Sequence, residues 1–379
     1  MKNQAISTDE MMRTAALFDI DGSPVTIRPA GNGHINDTFL VEYSTHDSLC
    51  GGDSPNRPGH ATVRYILQRI NDNVFHSPDK LMDNIIKVTD YLRDFEAERS
   101  SGGIRTGYPL HFMKTYDGGY MCKTETGFWR MMTYIDNTYV CESSCEPVRF
   151  REIGRAYGAF INDLAGFPAD QLNETISGFH DTRRRFENLL SAIQKDPEGR
   201  RNSAAEEISF ALGCEKYVDI LNECAARGEL PLRVTHNDTK INNILLDRDT
   251  GKAVCVIDLD TVMPGLAVND FGDAIRSGAV TGREDEPDAS IVKLDIDLYN
   301  AFRSGFIEGC PDLTEKEMEM LPAGARNMTL ECGIRFLTDY LEGDKYFRTD
   351  YPEHNLIRCR TQFRRVRDME EKWDLMRLL

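Results

Sequence analysis

The stretch that most constrains this chain is Arg233 to Thr261, RVTHNDTKINNILLDRDTGKAVCVIDLDT. Asp238 stands two residues after His236 and five before Asn243, and Asp258 follows a short apolar run. Ile241, Ile244, Leu245 and Leu246 anchor the loop from below, and Asp247-Arg248-Asp249-Thr250-Gly251 reads as a turn. Ala253 to Leu259 is a β-branched run that delivers Asp258 at the end of a buried strand. One loop and one strand end therefore bring Asp238, Asn243 and Asp258 to a single point. Three oxygen-bearing side chains so placed suit phosphoryl transfer, where catalysis is mostly positioning and charge neutralisation. Asp238 is the candidate base for an attacking hydroxyl, and Asn243 and Asp258 are candidate ligands for Mg²⁺ on nucleotide phosphates. The bland alternative is a set of ordinary turn-forming loop residues.

A length of 379 residues exceeds what one core usually serves, so two lobes are expected, 1–133 and 134–379. With 40% hydrophobic residues there is ample material for both cores, yet no run approaches the ~18 apolar residues of a membrane span. The opening MKNQAISTDEMM is polar and acidic rather than a signal, which points to a cytoplasmic enzyme. The ten cysteines have no paired framework, Cys141 and Cys145 being the closest, and no Cys/His set completes a zinc site. A net charge of −17 argues against nucleic acid or an anionic membrane as a partner, although simple solubility explains it equally. Oligomeric state is left open.

The first lobe is strand-rich. Thr26 to Pro29, Thr38 to Tyr43 and Val63 to Ile70 read as strands, and Ser44 to His60 as a loop. Leu81, Ile85, Val88 and Leu92 make one face of a helix over Leu81 to Phe95. Tyr116-Asp117-Gly118-Gly119 joins two strands of a hairpin, and Gly127 to Ile135 leads out of the sheet. From Pro147 the pattern turns helical, with Ile153, Ala156, Tyr157, Phe160, Ile161 and Leu164 on one face. Further helices are expected near Ile176 to Ile193, over Glu206 to Ala226, and as a charged helix from Asn355 to Leu379. The run Arg183-Arg184-Arg185 reads as a solvated face.

The pattern H-x-D-x-x-x-x-N followed by I-D-x-D resembles the aminoglycoside phosphotransferase and choline kinase superfamily, relatives of protein kinases. Within it, GNGHIN, RYILQRIN, LRVTHNDTKINNIL, IDLDTVMPG, NDFGDAIR and ECGIRFLTDYLEGDKYF resemble the bacterial N-acetylhexosamine 1-kinases. The resemblance implies an α+β, bilobal, protein-kinase-like fold with a strand-rich first lobe and a mainly helical second one.

It also implies residue roles. Gly31 and Gly33 would bring backbone amides to phosphate, and His34 would face phosphate or acceptor. Where protein kinases place a lysine on the third strand, Arg69 is the matching cation, its acidic partner unassigned because Asp83 fits poorly. Met131 to Ile135 would be the hinge that takes adenine, with Met132 and Tyr134 as its walls. Asp270 would brace the catalytic loop; Asp273 is equally an ordinary helix N-cap. Arg335 and Tyr346 would line a sugar pocket, against the alternative of an i, i+4 ion pair between Arg335 and Asp339. The implied activity is Mg²⁺-dependent transfer from ATP to the anomeric hydroxyl of N-acetylglucosamine or N-acetylgalactosamine. The alternatives are choline, homoserine or an aminoglycoside as acceptor, or a non-catalytic nucleotide-binding module.

Overall fold

The computed structural model describes residues 6–30, 35–45, 61–99, 110–142 and 145–378. The residues 6–94 and 110–138 form one compact unit, and 95–99 with those from 139 onward form another. Gly31, Gly33 and His34 lie outside the described residues, as does the loop 46–60.

The first unit holds α1 (Thr8–Ala15), β1 (Ser23–Pro29), β2 (Asp37–Thr45), β3 (Ala61–Ile70), α2 (Pro78–Arg99), β4 (Cys122–Thr124) and β5 (Gly127–Thr133), with α2 leaving it after Asp94. The strands make an antiparallel sheet in the order β1-β2-β3-β5-β4. Alternation decides which side chains share a face. Phe39, Val41, Tyr43, Tyr65, Leu67, Trp129 and Met131 point to one side and pack with Met11, Ala15 and Phe18. Leu81, Ile85 and Val88 form the buried stripe of α2. The turn at Tyr116 to Gly119 closes with Thr115 N–H donating to the Gly119 carbonyl, but only single bridges, Phe112 to Met132 and Thr115 to Phe18, precede it in place of a strand. The hairpin that does form is β4–β5, because Thr124 Oγ1 accepts from both the Thr126 N–H and the Trp129 indole.

After β6 (Thr138–Tyr139), the second unit runs α3 (Pro147–Asp163), α4 (Thr182–Lys195), α5 (Ala205–Gly213), α6 (Ile220–Ala226), β7 (Arg233–Thr235), β8 (Ile244–Asp247), β9 (Ala253–Val256), β10 (Met263–Gly265), α7 (Ala267–Gly278), α8 (Ile296–Gly309), α9 (Glu315–Glu342), α10 (His354–Glu371) and α11 (Trp373–Arg377). Phe186 and Leu189 of α4 pack with Ile334 and Leu337 of α9 and with Phe363 of α10. The helix expected from Ile176 begins only at Thr182, since Gly178 is left-handed and the Asp181 carboxylate caps the Arg184 N–H. The single helix expected over Glu206 to Ala226 is two, broken after Gly213. The tail likewise divides at Lys372. Among the described residues no helix is long and apolar enough to cross a membrane.

α3 and α8 pack unusually closely. A Cβ at Gly305 would overlap the carbonyl oxygen of Arg151, so glycine is what lets these helices approach. That approach fixes α3, whose Tyr157 and Phe160 then reach the catalytic loop.

Candidate active site

Between β7 and β8 the chain makes a tight loop, and its shape is held from four sides. The Asp270 carboxylate, on the first turn of α7, accepts from the backbone N–H groups of His236 at 2.8 Å and Asn237 at 2.7 Å. Burial pushes the Asp270 carboxyl up to about 6, although both N–H donors pull it down. His236 is itself scaffolding: Nε2–H donates to the Ile257 carbonyl at 2.9 Å while Nδ1 accepts the Asp238 N–H at 3.3 Å. These partners assign the neutral tautomer. The edges of Tyr157 and Phe160 enclose the ring, at 5.6 Å and 6.0 Å between centroids. Asn237 sits at a φ of 63° and donates its amide to the carbonyls of Thr235 and Thr261. A non-glycine residue in this region is strained and persists only where its surroundings over-determine it.

The sequence expectation that Asp238, Asn243 and Asp258 converge has a register behind it. β8 and β9 pair Ile244 with Val256, and the Ile257 N–H donates to the Asn243 carbonyl at 2.9 Å, which sets Asp258 one residue beyond Asn243 across the hairpin. Asp258 adopts φ 61°, again left-handed. Asn243 Nδ2 donates to the Asp238 carbonyl at 2.9 Å and approaches Asp238 Oδ2 at 3.4 Å. Its donor end is thus committed, and among the described residues none donates to Oδ1. A carboxylate and an amide oxygen form a hard donor set that fits Mg²⁺, which binds few protein ligands and completes its shell with water and phosphate. Among the described residues no group of three or more His, Cys, Asp or Glu is arranged to hold a metal.

Three residues of the site escaped sequence reading. Lys240 Nζ lies 2.9 Å from Asp238 Oδ1 and donates to Oδ2 at 3.1 Å, and the Asp238 carboxylate holds the ammonium up at about 12. Its signal was present, a cation two residues after the candidate base. His180 and Glu331 are the others. His180 Nδ1 lies 3.2 Å from Glu331 Oε1, and Nε2 lies 3.1 Å from the Asn237 carbonyl. Both partners only accept, so His180 donates from both nitrogens as an imidazolium. Burial alone would lower its pKa, but the Glu331 carboxylate outweighs that and raises it. Thr182 Oγ1 also donates to Glu331, at 2.7 Å.

In the first unit Arg69 faces the Leu67 and Trp129 side of the sheet and pairs with its register partner Asp37, Nε donating to Oδ2 at 2.8 Å. The opposite face carries Gln68, whose Oε1 accepts from Arg130 at 2.9 Å and 3.1 Å, and Arg130 in turn reaches Met82 of α2 at 3.9 Å. α2 and Arg69 therefore lie on opposite faces. That is why, among the described residues, no acid of α2 serves Arg69: Asp83 pairs with Lys87, and the acid that pairs with Arg69 is Asp37. Met132 is buried, while Tyr134 lies under the Arg64 guanidinium at 4.8 Å.

At the end of α9 the ion pair between Arg335 and Asp339 does not form. Gly343, at φ 95°, turns the chain so that Asp339 accepts the N–H groups of Lys345, Tyr346 and Phe347 at 2.8–2.9 Å and the Asn355 amide at 2.8 Å. Arg335 is left over the rings of Tyr346 at 5.7 Å and Phe347 at 5.4 Å. Tyr346 is 67% exposed, available to a ligand. Asp273 is no N-cap either: it lies inside α7, 2.6 Å from Arg276. Burial opposes ionisation of Asp273, but Arg276 and Lys240 outweigh it and keep its pKa low.

The sequence profile of the phosphotransferase enzyme family known as APH matches residues 26–303. The chain belongs to this phosphotransferase family. The expected α+β kinase-like fold agrees with solved structures of low identity. A microcompartment-associated aminopropanol kinase superposes with a TM-score of 0.59 at 14% identity, covering 98% of this chain and 99% of the other. Spectinomycin phosphotransferase, solved with ADP and spectinomycin, gives 0.55 at 14% identity over 99% of this chain and 100% of the other. Choline kinase from Cryptosporidium parvum Iowa II gives 0.55 at 13% identity over 97% of each chain. The chain is thus a phosphotransferase by family, with a fold that these solved structures share.

Proposed function

We propose that this phosphotransferase moves the γ-phosphate of ATP to the anomeric hydroxyl of an N-acetylhexosamine, giving the sugar 1-phosphate. The observation that carries the chemistry is the orientation of Asn243, whose amide N–H is committed to the Asp238 carbonyl so that Oδ1 is available to a cation. Asp238 accepts the proton of the acceptor hydroxyl as it attacks phosphorus. Lys240, paired to that carboxylate, fixes its orientation and adds positive charge where the transferred phosphoryl passes. Asn243 and Asp258 hold Mg²⁺, which neutralises phosphate charge when bound. Asp270 and His180 keep the loop backbone in place by its N–H groups and its Asn237 carbonyl.

For the acceptor, the reading rests on Arg335, a guanidinium with no carboxylate partner among the described residues, beside the exposed Tyr346 ring. Sugars favour planar donors and an aromatic wall. Gly31, Gly33, Met132 and Tyr134 are the proposed nucleotide contacts and His34 an acceptor contact. ADP release measured over N-acetylglucosamine, N-acetylgalactosamine, choline, homoserine and an aminoglycoside tests the assignment, with phosphorus NMR locating the phosphate. Dependence on an N-acetylhexosamine with an anomeric phosphate is the expected result; dependence on a cationic alcohol would replace it.

A further inference from the structure

The run Arg183-Arg184-Arg185 does not behave as one solvated face. Arg183 is an ion-pair residue, held by Asp219 and Glu215, and Arg184 donates to the Ser177 carbonyl at 3.2 Å. Arg185 differs from both. Its Nη2 donates to the Phe179 carbonyl at 3.0 Å, its Nε is buried without a hydrogen-bond partner, and it makes no ion pair with any described carboxylate.

Its position follows from how α4 and α9 run. Thr182, on the first turn of α4, donates to Glu331 in the middle of α9, and beyond the far end of α4 Arg200 donates to the Tyr340 carbonyl at 2.9 Å near the end of α9. The two helices are therefore parallel. One turn on from the Thr182–Glu331 contact lie Arg185 on one helix and Arg335 on the other, each on the same face as the residue that makes it. Burial first and Arg335 second make the Arg185 guanidinium easier to deprotonate than usual, with Tyr346 within the same electrostatic reach. Glu331 offsets part of this charge, but its oxygens are already occupied by His180 and Thr182, and it makes no ion pair with either guanidinium. The same Glu331 connects through His180 to Asn237, the residue before Asp238.

We propose that Arg185 is the second guanidinium of the acceptor site, acting with Arg335 on an acyl or carboxylate oxygen of the acceptor, and that this pair excludes cationic acceptors. Two planar forks one turn beyond the loop anchor suit an sp² oxygen on the molecule whose hydroxyl meets Asp238. A cationic substituent there would meet two guanidinium charges that Glu331 offsets only in part. The inference rests on the alcohol phosphotransferase reading above but not on the acceptor being a hexosamine.

Steady-state ADP release with N-acetylglucosamine, glucosamine, glucuronate and choline separates the cases, on the wild type, Arg184→Ala, Arg185→Ala, Arg185→Lys and Arg335→Ala. N-Acetylglucosamine and glucosamine differ at one substituent, neutral acyl against cationic amine. Arg185→Ala is expected to raise the acceptor KM by roughly 10–100-fold, the range for losing a hydrogen bond to a charged group. It should also narrow the preference for N-acetylglucosamine over glucosamine, leaving the ATP KM and the melting temperature near wild type. Arg185→Lys should fall between, keeping charge without the fork, and Arg184→Ala should match wild type. Turnover of glucuronate alone, with the same Arg185 dependence, would remove the hexosamine assignment and keep the subsite. Efficient use of glucosamine or choline by the wild type, unchanged selectivity in Arg185→Ala, equal loss of every constant with early melting, or turnover of no acceptor would each overturn it.

Discussion

Asn243 and Asp238 are joined by a 2.9 Å hydrogen bond from the amide Nδ2 of one to the main-chain carbonyl of the other. The bond couples a candidate metal ligand to the backbone of the candidate base, so two substitutions at Asn243 should behave differently. Asn243→Ala removes both the oxygen and the donor, and the Mg²⁺ needed for half-maximal activity is expected to rise by roughly tenfold or more. Asn243→Asp keeps an oxygen for the cation but loses the donor, so its Mg²⁺ requirement stays near wild type while kcat falls. Magnesium titrations of ADP release distinguish them; an unchanged requirement in both would move the metal elsewhere.

Asp270 acts on the same loop through its backbone. Asp270→Ala leaves two buried N–H groups without an acceptor, each costing about 1–3 kcal/mol. Lower kcat and a melting temperature reduced by several degrees are expected together, read by ADP release and scanning calorimetry. Full activity in this variant would mean that the loop holds its shape without the brace.

The His180–Glu331 link sets a pH dependence. The folded pKa of His180 is raised, so its contribution is complete below the ordinary value of 6.5 and is lost as pH rises through the folded value. Burial opposes ionisation of Glu331, but the His180 and Thr182 hydrogen bonds outweigh it and hold its pKa below 4.5, so its contribution is present above 4.5 and lost as pH falls through the lower folded value. The wild-type melting temperature should therefore decline on the alkaline side, and His180→Gln should flatten that decline. An identical alkaline slope in the variant would assign it to other groups.

Much of this was legible in the sequence because it is local. The loop, Asp258 and the acid of α7 fall within a short stretch, where spacing and hydrophobic period carry the geometry, although the strand expected through Leu259 ends at Val256 and Asp258 follows it in a left-handed turn. His180 was not legible, since its partner Glu331 comes from a helix far along the chain and neither has a periodic signal. Asp339 misled for a different reason: its i, i+4 spacing from Arg335 suits an ion pair, yet the left-handed Gly343 offers it three backbone N–H groups. Gly213 and Gly178 broke helices whose apolar pattern ran on. At Arg69, alternation separated it from Gln68 but could not say which face α2 covers.

That face bears on the nucleotide. Arg69 is committed to Asp37 on the side away from α2, so Arg69→Ala is expected to lower the melting temperature and leave the ATP KM near wild type. Asp37→Ala should have a similar effect, and the double variant little more than either alone. A raised ATP KM without loss of stability in Arg69→Ala would restore its phosphate role.

The central claim is that Asp238 is the base of an alcohol phosphotransferase, and comparing turnover with nucleotide binding in Asp238→Ala tests it most directly. ADP release in the presence of the acceptor is expected to fall by roughly 10²–10⁴-fold, the usual contribution of a general base. Calorimetric affinity for Mg²⁺ and a non-hydrolysable ATP analogue should stay close to wild type, because this carboxylate meets the acceptor hydroxyl and not the nucleotide. Near wild-type turnover in Asp238→Ala would contradict the account.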